Sequence, residues 1–122
     1  MDAKTIRETI FSADDLGYKQ LSIPEWNVTV YIKKWTARER ELWEMRTEKA
    51  KWKHTRERLA VDSVFTEDHT PVFTAEDIPT LAGKSAKALD RIFDCALSLN
   101  GMKKSELEEA EKNFSETEQE PS

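Results

Sequence analysis

Hydrophobic residues follow three different rhythms along this chain, and each rhythm predicts a different element. Near the N-terminus Ile6 and Ile10 share one helical face with Phe11 beside them, which predicts a short amphipathic helix over residues 6 to 15. Thr5 with Glu8 three residues later reads as a capping box, and Gly17 as the terminator. The period then drops to two. Leu21 and Ile23, then Val28, Val30 and Ile32, alternate with polar residues on either side of "PEWN" at positions 24 to 27. That pattern predicts a β-hairpin turning at those four residues. Thr36 and Glu39 form a second capping box, so the second strand hands over to a helix. Leu42, Met45, Trp52 and Leu59 recur along it at three-and-seven spacing, with Trp43 and Ala50 on the flank. The helix is expected to run to about residue 65, and a break near positions 53 to 55 is compatible with the pattern. Leu59, Val61, Val64 and Phe65 are expected to be buried.

The second half is punctuated more clearly. "TEDHTPVFTAED" is turn-rich, with Val72 and Phe73 tucking in and Thr74–Asp77 opening a short helix anchored by Ile78 and Leu81. Ser85 caps the cleanest helix, whose stripe is Leu89, Ile92, Phe93, Ala96 and Leu99 and which Asn100-Gly101 terminates. Ser105 and Glu108 suggest a last capping box before a small stripe of Leu107, Ala110 and Phe114. "SETEQEPS" has no apolar anchor. The expected organisation is therefore one domain over residues 1–114 and a disordered acidic tail over 115–122. The fold class is α+β and predominantly α-helical, with about five helices packed around one N-terminal β-hairpin. Its expected core includes Ile10, Leu21, Ile23, Val30, Leu42, Leu59, Val64, Leu89, Ile92, Phe93 and Leu99.

Composition narrows the function. A chain of 122 residues with 38% hydrophobic and 35% charged residues supports a modest core under a heavily solvated surface. The single cysteine allows no internal disulfide, the N-terminus has no signal-like apolar region, and no apolar run is long enough to span a membrane. A cytosolic location is the expectation. The chemistry of catalysis is thin. His54 sits among basic residues and His69 in a turn, Cys95 neighbours an apolar stripe, and no HExxH or CxxC spacing occurs. Three glycines cannot build a phosphate-cradling loop. No catalytic, cofactor or metal residues are assigned, and the protein is expected not to be an enzyme.

Two binding readings remain. The net charge is −5, yet positions 33 to 58 hold ten Lys/Arg against five Glu. Basic residues interleaved with Trp43 and Trp52 allow a nucleic-acid interface as the alternative reading. The five glutamates, the amphipathic pattern and the absence of a known motif favour a protein partner instead. Tryptophan is enriched at binding hot spots. The candidate partner-binding residues are Trp43 and Trp26, with Arg40, Arg46 and Phe114. Trp35, at the strand–helix junction, is expected in the core. Trp43 and Trp52 are nine residues apart, about 180° around an unbroken helix, so only one can face inward. Trp52 is expected inside and Trp43 at an interface.

The order of parts resembles a known family. "DDLGYKQLSIPEWNVTVYIKKWTARERELWE" is similar to the N-terminal half of the tail assembly chaperones of long, non-contractile-tailed bacteriophages, in which a Val/Ile-Pro-Glu-Trp hairpin turn precedes a Ser/Thr-x-x-Glu-Arg helix. "VFTAEDIPTLAGKSAKALDRIFDCALSLNGM" resembles the second half, and together the likeness covers roughly residues 10 to 114. Lys33-Lys34-Trp35 departs from the Arg-Gly-Leu common in relatives, and "TEDHTPVF" lacks their Asp-Gly turn. The resemblance implies a non-enzymatic chaperone that binds the tape-measure protein and recruits tail-tube subunits, with self-association a further possibility. It implies no nucleic-acid or membrane partner and no cofactor. It also implies a place in the cytoplasm of an infected or lysogenic bacterial host, absence from the mature virion and, in many relatives, a frameshifted C-terminal extension.

Overall fold

The period-two segment forms the hairpin that its alternation predicts. β1 (Gly17–Ile23) pairs antiparallel with β2 (Val28–Lys34), and the register sets Leu21 opposite Val30 and Ile23 opposite Val28. The connection is a single 3-10 turn, Pro24–Trp26, closed by Asn27 in the left-handed region at φ 52°. Proline suits the start of that turn, and asparagine tolerates its end. The structure, a computed structural model, describes the backbone of residues 1 to 119 and the side chains as far as 114.

A third strand was not expected. β3 (Val64–Phe65) pairs antiparallel with β2, placing Val64 beside Ile32. Ile23, Val30, Ile32 and Val64 thus form one buried sheet face, while Val28, at the hairpin end, stays 45% exposed. α5 (Ala86–Leu99) packs across that face, burying Ala88, Leu89, Ile92, Phe93, Ala96 and Leu97. Ser85 caps it by accepting from the Ala88 N–H, as its position predicts. A bidentate pair from Arg91 to Glu25 (2.7 and 2.9 Å) ties α5 to the hairpin turn.

Asn100 closes the opposite end. Its side chain accepts from the Trp35 N–H at 2.7 Å and donates to the carbonyls of Lys33 and Ala96. Gly101 follows at φ 65°, a conformation that glycine adopts without strain. The asparagine is therefore both a helix terminus and the clamp that holds the end of β2 against α5.

The long helix divides in two. α2 (Ala37–Lys49) begins at the expected Thr36–Glu39 capping box, and α3 (Thr55–Ser63) follows a connection in which Lys51, Trp52 and His54 all have positive φ. No glycine marks that break, and each left-handed non-glycine residue costs on the order of 1 kcal/mol or more. The break also resets the helical phase, so spacing counted from Met45 to Leu59 no longer tracks one face. Leu42 (40% exposed) and Met45 (61%) lie on the surface, and Trp43 and Thr47 are buried in their place. The Thr47 hydroxyl is satisfied locally, donating to the Trp43 carbonyl at 2.7 Å.

At the N-terminus α1 spans Ala3–Ser12 and is capped by Asp2, whose carboxylate accepts from the Thr5 N–H at 2.8 Å. Thr5 lies inside the helix, and Gly17 opens β1 rather than ending α1. Ile10, expected in the core, is 60% exposed, because α1 lies off the body with every residue exposed. Leu21 and Leu99 border the core half-buried. The 3-10 turn Ala75–Asp77, capped by Thr74, leads into α4 (Ile78–Ala82), whose Ile78 and Leu81 are buried as expected. α6 (Lys104–Gln119) begins before Ser105, so Ser105 does not cap it. α6 continues past the boundary drawn at residue 114, and positions 120–122 of the expected tail lie outside the described residues.

The architecture is α+β and mostly helical: six α-helices and a small three-stranded antiparallel sheet among the described residues.

Candidate partner-binding surfaces

Three of the four tryptophans form a continuous array inside the body. The Trp35 and Trp43 rings lie 5.6 Å apart, tilted by 39°, and Trp43 and Trp52 meet edge to face at 6.2 Å. Trp43 is 1% exposed, whereas Trp52 is half-buried. The burial order differs from the one expected: Trp43 is the fully buried core residue, and the left-handed connection folds the half-buried Trp52 back against it. In this fold Trp43 is not on the surface where a partner would first meet it. Its indole Nε1 has no hydrogen-bond partner, while Trp35 Nε1 donates to the Asp62 carbonyl at 3.0 Å.

The other candidates are dispersed over separate surfaces. Trp26 is half-buried and lines an apolar cleft of about 450 Å³ with Val72, Phe73, Leu81, Asp77 and Lys84. Arg40 lines a polar recess of about 570 Å³ with Trp35, Thr36, Glu44 and Asn100, and pairs with Glu44 at 3.0 Å. Arg46 rims a third cleft of about 290 Å³ bounded by Leu42, Val61, Phe65, Pro71 and Phe73, where it faces Asp62 at 3.4 Å. Phe114 is half-buried on α6. The five candidates therefore do not converge on one site. The sequence reading missed that Leu42 and Met45 are exposed, and that Leu42 edges the third cleft. The available signal was Thr47: a threonine one turn after Trp43 marks the inward row by sharing its face.

Electrostatics argue against a phosphate-binding face along residues 33 to 58. Lys33 pairs with Glu39, Arg40 with Glu44, Arg46 with Asp62 and Arg56 with Asp90. Four of the ten cations in that stretch are thus engaged with the protein's own carboxylates. Burial pushes the Glu39 carboxyl up, but its bonds to Lys33 and Thr36 outweigh that and hold it below the usual value. Burial dominates at Asp62 and raises its pKa against the pull of Arg46 and Arg58. Burial also raises the Cys95 thiol, which disfavours the thiolate a nucleophile needs. His54 precedes α3 with its ring exposed, and His69 stacks on Tyr18 at 3.8 Å. Among the described residues no three His, Cys, Asp or Glu side chains gather as a metal site would require, and no helix is long and apolar enough to cross a membrane.

The fold thus defines a class: a small helix-on-hairpin domain whose surface offers apolar clefts with charged rims. One solved structure to which it is similar is that of the bacteriophage HK97 tail assembly chaperone, with a TM-score of 0.56 over 80% of this chain and 95% of that one at 19% identity. No family model matches the chain, and no curated protein matches it. At that identity the likeness speaks for the fold.

Proposed function

We propose that this chain is a phage tail assembly chaperone that binds the tape-measure protein and brings tail-tube subunits to it in the cytoplasm of the bacterial host. The observation that carries this reading is a fold shared with a tail assembly chaperone across 80% of this chain and 95% of that one. The surface supplies a fitting chemistry. A tape-measure protein is long and helical, and its apolar helix faces need cover before assembly. The cleft edged by Leu42, Phe65 and Phe73 offers an apolar seat for such a face, and the exposed Met45 follows Leu42 by three residues along α2. Arg46 and Asp62 at its rim supply polar partners of both signs. Nothing in this role requires a catalytic group.

Co-expression with the neighbouring tape-measure and tail-tube proteins tests it. The expected result is a soluble complex retained on a tagged copy of this chain. Leu42→Glu and Met45→Glu should each weaken capture by about 30-fold, the equivalent of roughly 2 kcal/mol at a hot spot. Failure to co-purify either protein, with this chain itself folded, would remove the proposal. Capture unchanged by both substitutions would move the seat elsewhere on the body.

A further inference from the structure

β1 is the outer strand of the sheet, paired with β2 on one side only. Alternation along β2 shows which of its backbone groups that leaves over. Val64 accepts from the Val72 N–H and Thr66 donates to the Thr70 carbonyl, so Phe65 between them faces β2 and bonds to Tyr31. Tyr31, Lys33 and Trp35 therefore point away from β1. Asn100, bonded to the Lys33 carbonyl and the Trp35 N–H, lies on that same side. Val30, Ile32 and Lys34 then face β1, where the register meets them with Leu21, Lys19 and Gly17. Tyr18, Gln20 and Ser22 are left with N–H and C=O groups directed outward, and among the described residues no backbone bond from another element reaches them. The edge runs for seven residues in continuous register, without proline or bulge. Its one charge is Lys19. On the α5 side of the sheet Ile23 is buried, Leu21 half-buried and Lys19 exposed. Lys19 lies near enough to Cys95 of α5 to oppose the rise of its thiol pKa. The acids at the two ends of the strand lie elsewhere: Glu25 is held by Arg91, and Asp14 and Asp15 precede Gly17.

We propose that the outer edge of β1 docks an extended segment of another protein, which adds a fourth strand whose α5-side residues are apolar beside Ile23 and Leu21 and acidic beside Lys19. The row of free N–H and C=O groups at Tyr18, Gln20 and Ser22 is complementary to another extended backbone, and the side chains beside it set the preference. A second copy's β1 does not fit. Its strand, Gly17–Ile23, contains no carboxylate, and edge pairing would set Lys19 against glycine, lysine, leucine or isoleucine. A lysine on an open edge keeps like strands away; here it also selects an acidic one. The joint is made by backbone at the sheet edge, so it stands apart from the Leu42 cleft of the chaperone reading.

Amide hydrogen exchange read by NMR on the purified full-length chain tests the edge. The probe is a capped synthetic peptide in which threonine alternates with valine, valine and glutamate. At about ten times its Kd the peptide should slow exchange at Tyr18, Gln20 and Ser22 about tenfold, while Lys19 and Leu21, already bonded to β2, stay unchanged. Gln20→Pro removes one outward N–H and no bond to β2, and should abolish the protection. Lys19→Glu should weaken the peptide about fivefold and transfer the preference to a peptide with lysine in place of glutamate. Both positions are exposed, so each variant should keep the far-UV circular dichroism of the parent. A peptide that leaves the three outward amides unprotected overturns the proposal, as does equal binding of the lysine peptide to the parent chain. So does protection of those amides without peptide that rises with chain concentration, which would assign the edge to a second copy.

Discussion

α1 and α5 are both amphipathic helices with apolar residues at helical spacing, yet their fates are opposite. α5 buries six residues against the sheet and α3, and α1 buries none. Their local chemistry does not explain the contrast, because each has a good cap, Asp2 on one and Ser85 on the other. The difference lies in what each is attached to. α5 is bolted to the hairpin turn through Arg91–Glu25 and to the end of β2 through Asn100. α1 follows the chain's N-terminus and reaches the body through residues 13 to 16. An apolar stripe shows which face of a helix could be buried; attachment to the rest of the fold decides whether it is.

The contrast is tested most severely in the core. Phe93→Ala in α5 and Trp43→Ala in α2 should each cost about 3–5 kcal/mol, a large share of the stability of a domain this size. Both side chains are 1% exposed. Trp52→Ala should cost roughly 1–2 kcal/mol, because its ring is half-buried and only part of its transfer energy is at stake. Thermal or urea unfolding followed by circular dichroism reads all three. A Trp52→Ala loss as large as that of Trp43→Ala would mean that the left-handed connection, and not the ring, holds α2 against α3.

Asn100→Ala comes next. It leaves the Trp35 N–H without its 2.7 Å acceptor and frees the Lys33 carbonyl, and one such buried orphan costs about 1–3 kcal/mol. Hydrogen exchange at Trp35 and along β2 should quicken while the centre of α5 stays protected. Uniform loss of protection would show that Asn100 supports the whole body and not only the junction.

These elements also mark what the sequence could say. The hairpin, its Pro-Glu-Trp-Asn turn and the caps at Thr36, Thr74 and Ser85 were legible because each depends on residues within a few positions of one another. β3 was not, since two residues become a strand only by pairing with β2, some thirty positions earlier. The tryptophan assignment failed for a related reason. Three non-glycine residues adopt or flank a left-handed path between α2 and α3, and no local signal marks that path. The candidate site was the least legible part. Arg40, Arg46, Trp26 and Phe114 were read as one class, while the fold distributes them over separate surfaces.

Titration separates α1 from the body by sign. Hydrogen bonds from the Thr5 backbone and side chain hold Asp2 below the ordinary 3.8, so its capping contribution is present above that value and lost as pH falls through its lowered one. Asp62 is raised by burial, so its charge is a liability in the folded state, relieved as pH falls through its elevated value towards 3.8. Backbone NMR from about pH 7 down to about pH 3 should show α1 loosening at the acid end. Over the same range any advantage of Asp62→Asn over the parent chain should be greatest near neutrality and shrink with acid. An advantage that grew with acid would reverse the sign assigned to Asp62.

The smallest effect is the sharpest test of the comparison. Phe11 and Phe93 are the same residue on two amphipathic helices, 72% and 1% exposed. In a dilute, monomeric sample Phe11→Ala should change unfolding stability by no more than about 0.5 kcal/mol, as for a surface site with no tertiary partner. Among the described residues its folded-state loss there is the Arg7 contact over the ring, itself solvated. Unfolding curves for the parent and Phe11→Ala should therefore coincide within that margin. Curves clearly apart would place α1 against its own body, and the difference between α1 and α5 would become one of degree.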